Sequence, residues 1–195
     1  MVGEEKKGPL GIPRYIWIQL LFLALGYAFY SANRLSFAIG LKSISKQLAL
    51  SVVQVGLLGT IFTLGQALID IPAGYLADRL GRKRMLLLGM FGIGITTMAV
   101  TTATNFYGAA IWRFVFGATE GIWNIVMYSV AGSIFPASRA MINGLMMSFY
   151  SIGAYVGPTY YGSTLEMNPA NWQHGLLVMG ATTFTFAFVL MKMLK

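Results

Sequence analysis

Six stretches dominated by apolar residues follow one another along the chain, at roughly 15–41, 51–77, 85–104, 106–132, 141–163 and 173–191. Each is long enough to supply the ~17–25 apolar residues that carry a helix across a bilayer core. The joints between them are short, at 42–50, 78–84, 104–105, 133–140 and 164–172, so no extramembrane domain fits in any of them. The first stretch is too long for a signal-peptide core, lacks an A-x-A-like cleavage site and precedes further spans, so it is expected to stay in the mature protein. The pattern predicts an all-α membrane protein: a cytoplasmic lead-in over residues 1–14, with Pro9 and Pro13, then a six-helix transmembrane domain over 15–195.

Composition agrees. Of 195 residues, 56% are hydrophobic and only 10% charged, too few charges to cover a soluble domain of this size. There is no cysteine and a single histidine, His174, which removes disulfides, thiolate sites and multi-histidine metal sites. No cofactor is expected. The net charge of +8 would suit nucleic acid if it were clustered on one face. With alternating spans it falls instead on one side of the membrane: Lys6, Lys7, Arg14, Arg79, Arg82, Lys83, Arg84, Arg139, Lys192 and Lys195, against Lys42 and Lys46 on the other. The positive-inside rule then places both termini in the cytoplasm, with the cell membrane as the location and no nucleic acid as partner.

Charge inside a span is the next signal, because it costs several kcal/mol and normally faces a cavity or a partner. Arg34 lies in the first span and Arg113 and Glu120 in the fourth. In the fourth, Arg113, Gly117, Glu120, Asn124 and Tyr128 recur at spacings of four, three, four and four, one polar stripe on a helix. Tyr27, Tyr30 and Arg34 form a similar stripe in the first. Antiparallel spans set these stripes at matching depths, which predicts a water-accessible pocket near the midplane. Arg34 and Arg113 suit an anionic or hydroxyl-rich solute through fork-shaped hydrogen bonding. Tyr30, Asn33, Asn124 and Tyr27 complete the predicted substrate-binding set, and Glu120 is the candidate carrier of a coupling proton. The alternative is a permanent structural pair of Glu120 with either arginine, Arg113 being the expected structural member. Gln66 and Asp70 lie one turn apart in the second span, Asp70 extending the loop network or lining an inner cavity. Tyr150 and Tyr155 either line the pocket or pack, and the twelve methionines fill apolar gaps. No nucleophile–base set or metal cluster appears, so an enzyme is not expected.

The joint after the second span carries a more particular signature. Gly74-Tyr-Leu-Ala-Asp78-Arg79-Leu-Gly81-Arg82-Lys83 resembles the loop G-x-L-A-D-R-x-G-R-K of the major facilitator superfamily, at every specified position. Arg113-x3-Gly117-x3-Gly121 is similar to that family's fourth-helix pattern. Gly144-x8-Gly153-x3-Gly157-Pro158 is similar to the fifth-helix motif of its proton-driven antiporters, with Tyr161 where that motif has glycine. Tyr30-Ser-Ala-Asn33-Arg34 resembles the first helix of its anion:cation symporters, with Asn33 in place of an acid.

The resemblance implies a secondary transporter working by alternating access, and one half of a two-half architecture. It implies proton-coupled symport of a small organic anion or sugar, with drug/proton antiport as the alternative. Six helices form one wall of a cavity, and a single charge-imposed orientation makes two copies parallel. A parallel homodimer with the pocket on its axis is therefore expected. In it the gating loop, Gly74, Asp78, Arg79, Gly81 and Arg82, meets the start of the second copy's fifth helix near Ser138 and Arg139. Gly144, Ser148 and Ser151 are the expected contact residues on that helix. An N-terminal piece of a longer transporter, with no homodimer, and a non-transporting accessory membrane protein are the other readings.

Overall fold

The computed structural model describes residues 13–134, 139–168 and 170–193, apart from the side chains of 14 and 134. Lys6, Lys7, Ser138, Lys195 and the lead-in before residue 13 lie outside the described residues. Six long helices run antiparallel in sequence: α1 Arg14–Gln47, α2 Val52–Leu80, α3 Arg82–Ala99, α4 Phe106–Ile134, α5 Arg139–Met167 and α6 Trp172–Met193. By length and composition α1, α2, α3 and α6 are apolar enough to cross a membrane alone. Helices α4 and α5 are 29 residues each, long enough to span.

Several boundaries differ from expectation, α3 ending at Ala99 rather than 104 and α5 running to Met167 rather than 163. Helix α1 runs to Gln47 rather than 41, because Lys42 to Lys46 end the apolar run without breaking the helix. Lys46 in the last turn is favoured by the negative end of the helix dipole. The expected loop 78–84 shrinks to one residue, Gly81, flanked by α2 and α3. Its φ of +94° is a conformation that side-chain-bearing residues seldom adopt. At the other end of α2, Ser51 and Gln54 form a reciprocal capping box.

Packing is pairwise and close. Helix α2 lies along α4, α5 along α1, and α3 along both α4 and α6, while α1 and α4 touch each other only sparsely. Each of these pairings sets a glycine against the neighbouring backbone, two of them most closely. A Cβ on Gly117 of α4 would strike the Phe62 carbonyl of α2, and one on Gly153 of α5 the Ala28 carbonyl of α1. In lipid, where helices gain little from apolar burial alone, such close backbone approach supplies the packing energy. Tyr161 of α5 is fully buried, donates to the Trp172 carbonyl at 3.0 Å and sits against Gly40 and Gly175.

Candidate substrate site and gating loop

The polar stripes predicted for α1 and α4 meet where those helices approach each other. Tyr27, Tyr30 and Arg34 lie three and four residues apart, hence on one face of α1. Arg34 Nη1 donates to the Tyr30 hydroxyl at 2.7 Å, to Glu120 Oε2 of α4 at 3.2 Å and to Gln66 Oε1 of α2 at 3.3 Å. Three acceptors compete for the two protons of one nitrogen, so their hold on it is shared. The Arg34 side chain keeps 30% of its exposure, whereas that of Glu120 has none. Glu120 Oε1 has no hydrogen-bond partner among the described residues. An ion pair with one sealed member and one accessible member results.

Arg113 is arranged differently. It is buried, and its guanidinium carbon lies 4.1 Å from the ring centre of Phe37, 4.6 Å from Phe62 and 5.2 Å from Phe116. Aromatic faces attract a desolvated guanidinium. The ion pair to Glu120 is made by Arg34, not by Arg113, the reverse of the expected structural assignment. Phe62 serves both arginines, since Arg34 lies 4.9 Å from the same ring.

A tyrosine cluster continues the site. The Tyr27 and Tyr128 hydroxyls are 3.2 Å apart, and the Tyr27 ring stands 5.2 Å from both Tyr30 and Tyr150. Asn124 is half-buried on the α4 stripe, with its Oδ1 sealed and unpartnered among the described residues. Asn33 is placed elsewhere. Its amide nitrogen donates to the Phe29 carbonyl at 2.7 Å and to Thr183 Oγ1 of α6 at 2.8 Å, away from the Arg34 cluster. Asp70 lies against Gly121 of α4 with Oδ1 buried and unpartnered.

At the other candidate site, Asp78 is 72% exposed and pairs with Arg82 at 3.7 Å, a helix-surface contact worth little in itself. Arg79 stacks on Tyr75 at 4.5 Å. Arg82 and Arg139 line one open cleft of about 410 Å³ with Tyr128, Ser133 and Asn143, which puts the end of α2 and the start of α5 at the same end of the bundle. A Cβ on Gly74 would meet only Ile125, at 3.9 Å, so nothing among the described residues requires glycine there.

A model of the Major Facilitator Superfamily matches residues 21–195, nearly the whole chain. The chain belongs to that superfamily, one of membrane transporters and not of enzymes.

Relatives within the superfamily agree with the fold described above. The hexuronate transporter of Bacillus subtilis is 30% identical over 141 residues, 71% of this chain and 33% of that protein. A probable sulfoacetate transporter of Cupriavidus necator is 25% identical over 175 residues, 85% of this chain and 39% of that one. Among solved structures, an inward-facing bacterial homolog of the human lysosomal transporter Spinster superposes with a TM-score of 0.80 at 23% identity. That superposition covers 93% of this chain and 43% of the other, so it bears on the fold alone. The chain spans between a third and two fifths of the two curated relatives.

For this member of the superfamily, the sequence-predicted set divides in space. Arg34, Tyr30, Tyr27 and Glu120 come together, Arg113 sits beside them in an aromatic cage, and Asn33 turns to α6. Sequence reasoning missed Gln66 as an acceptor for Arg34, and the phenylalanine cage altogether. A usable signal existed: Phe37 and Phe116 each stand three residues after an intramembrane arginine, on the same helix face.

Proposed function

We propose that this chain is one six-helix half of a secondary active transporter that carries a small organic anion or sugar together with a proton, by alternating access. The supporting observation is the Arg34–Glu120 pair at the sparse α1–α4 contact. An anionic solute reaching the accessible guanidinium competes with Glu120 for the protons of Arg34. Glu120, sealed from water, then needs a proton in place of its lost counter-ion, because an unpaired charge is costly inside a membrane protein. Substrate and proton occupancy are thereby linked. Relatives named for a hexuronate and for sulfoacetate, both acidic solutes, support an anionic cargo.

The second half is supplied by a parallel second copy, with termini in the cytoplasm and the substrate site on the two-fold axis. Two exposed faces support this reading. On α2, Gly56, Thr60, Thr63 and Ala67 are exposed, and on α5 so are Gly144, Ser148, Ser151 and Thr159. Their hydroxyls are satisfied internally, as Thr60 to Gly56, Thr63 to Gly59, Ser148 to Gly144 and Ser151 to Met147 carbonyls. Small stripes with no unmet hydrogen bonds suit close helix approach in a bilayer. With α2 against α5 of the second copy, Gly74 lets the backbones close and Asp78 reaches the start of that α5, near its Ser138 and Arg139. A carboxylate there gains about 0.3–1 kcal/mol from the helix dipole.

Uptake by purified protein in liposomes tests the reading. Hexuronate or sulfoacetate should accumulate when an inward proton gradient is imposed, and accumulation indifferent to the gradient would remove the coupling.

A further inference from the structure

One small chamber lies outside the substrate cluster, between α1, α3, α4 and α6, lined by Asn33, Phe37, Thr97, Arg113, Phe116 and Leu176 among others. It offers about 10 Å³ of room for the centre of a water molecule. That matches the ~10–15 Å³ which one ordered water requires. These six lining residues are all buried.

The chemistry of the lining is specific. Three sealed polar atoms carried by lining residues have no hydrogen-bond partner among the described residues: Asn33 Oδ1 of α1, Thr97 Oγ1 of α3 and Arg113 Nε of α4. Buried polar groups in native proteins are almost always satisfied, by protein or by ordered water. Neighbouring groups are already committed, since Thr96 Oγ1 bonds the Gly92 carbonyl at 2.6 Å and the Asn33 amide nitrogen bonds Phe29 and Thr183. The sealed atoms are one cationic donor, one amide acceptor and one hydroxyl that can act either way. A chloride ion would be repelled by Asn33 Oδ1, and a metal cation by Arg113. A neutral molecule that both donates and accepts fits all three.

We infer that this chamber is a binding site for a single structural water, which accepts from Arg113 Nε, donates to Asn33 Oδ1 and exchanges a hydrogen bond with Thr97 Oγ1. Through Asn33 and Thr183 the water joins α6 to the other three helices. It also fixes the edge of the Arg113 guanidinium whose faces the phenylalanines hold, which leaves Glu120 to Arg34. The inference does not depend on what the protein carries.

The Thr97→Val variant gives a test by sign. If the hydroxyl is bonded to a water, its loss weakens the site, and the melting temperature should fall by about 2–4 °C for a chain of this length. If the hydroxyl has no partner, replacing it with an apolar group of the same shape is neutral or stabilising. An unchanged or raised melting temperature therefore overturns the inference. A structure of the unmodified protein, at a resolution that shows ordered water, gives the second measurement. Density within hydrogen-bonding reach of all three atoms is expected, and its absence overturns the site. Melting in chloride against gluconate should give the same temperature. A rise specific to chloride would overturn water in favour of an anion.

Discussion

Arg34 and Glu120 are each expensive in a membrane and inexpensive together, which makes their pairing informative at the residue scale. Breaking a buried pair from one side typically costs about 3–5 kcal/mol, while replacing both partners by apolar residues is often neutral. Arg34→Ala should therefore lower the melting temperature and abolish uptake. The double variant Arg34→Met, Glu120→Leu should recover the melting temperature and still not transport. Recovery of uptake in the double variant would reduce the pair to a structural contact. Glu120→Gln separates proton coupling from binding, because an amide keeps an acceptor for Arg34 but cannot take up a proton. Exchange of labelled for unlabelled solute should persist in that variant, while gradient-driven accumulation disappears. Loss of both would place Glu120 in substrate binding instead.

At the scale of the element, glycines on two helices do different things. Gly117 lies under the Phe62 carbonyl, so α2 and α4 cannot stay in register with a side chain there. Gly144 meets nothing within 4 Å. Gly117→Leu should destabilise the bundle by about 1–3 kcal/mol or more, as forced overpacking does. Gly144→Leu should leave the melting of the isolated bundle unchanged and weaken association of copies in detergent, seen by mass measurement. Equal effects on both quantities would contradict the division of α4 as internal and α5 as interfacial. Gly117-x3-Gly121 and Gly153-x3-Gly157 were legible as small-x3-small patterns, but their partners, α2 and α1, were not. Spacing says which face is small; only the fold says whether another helix of the same chain occupies it.

For the whole molecule, the question is what covers the outer faces of α2 and α5. The chain has no cysteine, so pairs can be introduced without background. Ala67→Cys combined with Ser151→Cys places one thiol on each exposed face, at matching depth when Asp78 meets the start of the second copy's α5. Oxidation in membranes should give a covalent dimer on a reducing-agent-sensitive gel. A chain that stays monomeric under oxidation, while folded and active, would sink the parallel homodimer. Asp78 and Gly74 belong to this scale as well. Among the described residues of one copy, Asp78 pairs only with Arg82 at the start of α3, and Gly74 has only Ile125 near it.

Apolar content and period were enough to read six helices and their order from the chain alone, and the Gly74–Lys83 motif carried the resemblance to the superfamily. Those signals are local, and each helix in a membrane must satisfy its own backbone whatever surrounds it. The stripes carrying Tyr27, Tyr30, Arg34, Arg113 and Glu120 were equally legible, since helical spacing puts them on one face. Which arginine Glu120 meets was not. Arg34 and Arg113 are both charged, both intramembrane and at similar depth. The choice follows from the packing of α2 against α4, which brings Phe62 and Gln66 to the site; Phe62, with Phe37 of α1 and Phe116 of α4, gives Arg113 aromatic faces instead of a carboxylate. Asn33, one residue from Arg34, was drawn toward the pocket by its position in the sequence. Adjacent residues on a helix point about 100° apart, and that rotation delivers its amide to Thr183 of α6. Sequence by itself determined which elements form, because that is decided within about a turn of the chain. Tertiary structure alone decided which charges meet, because that depends on the pairing of helices far apart in sequence.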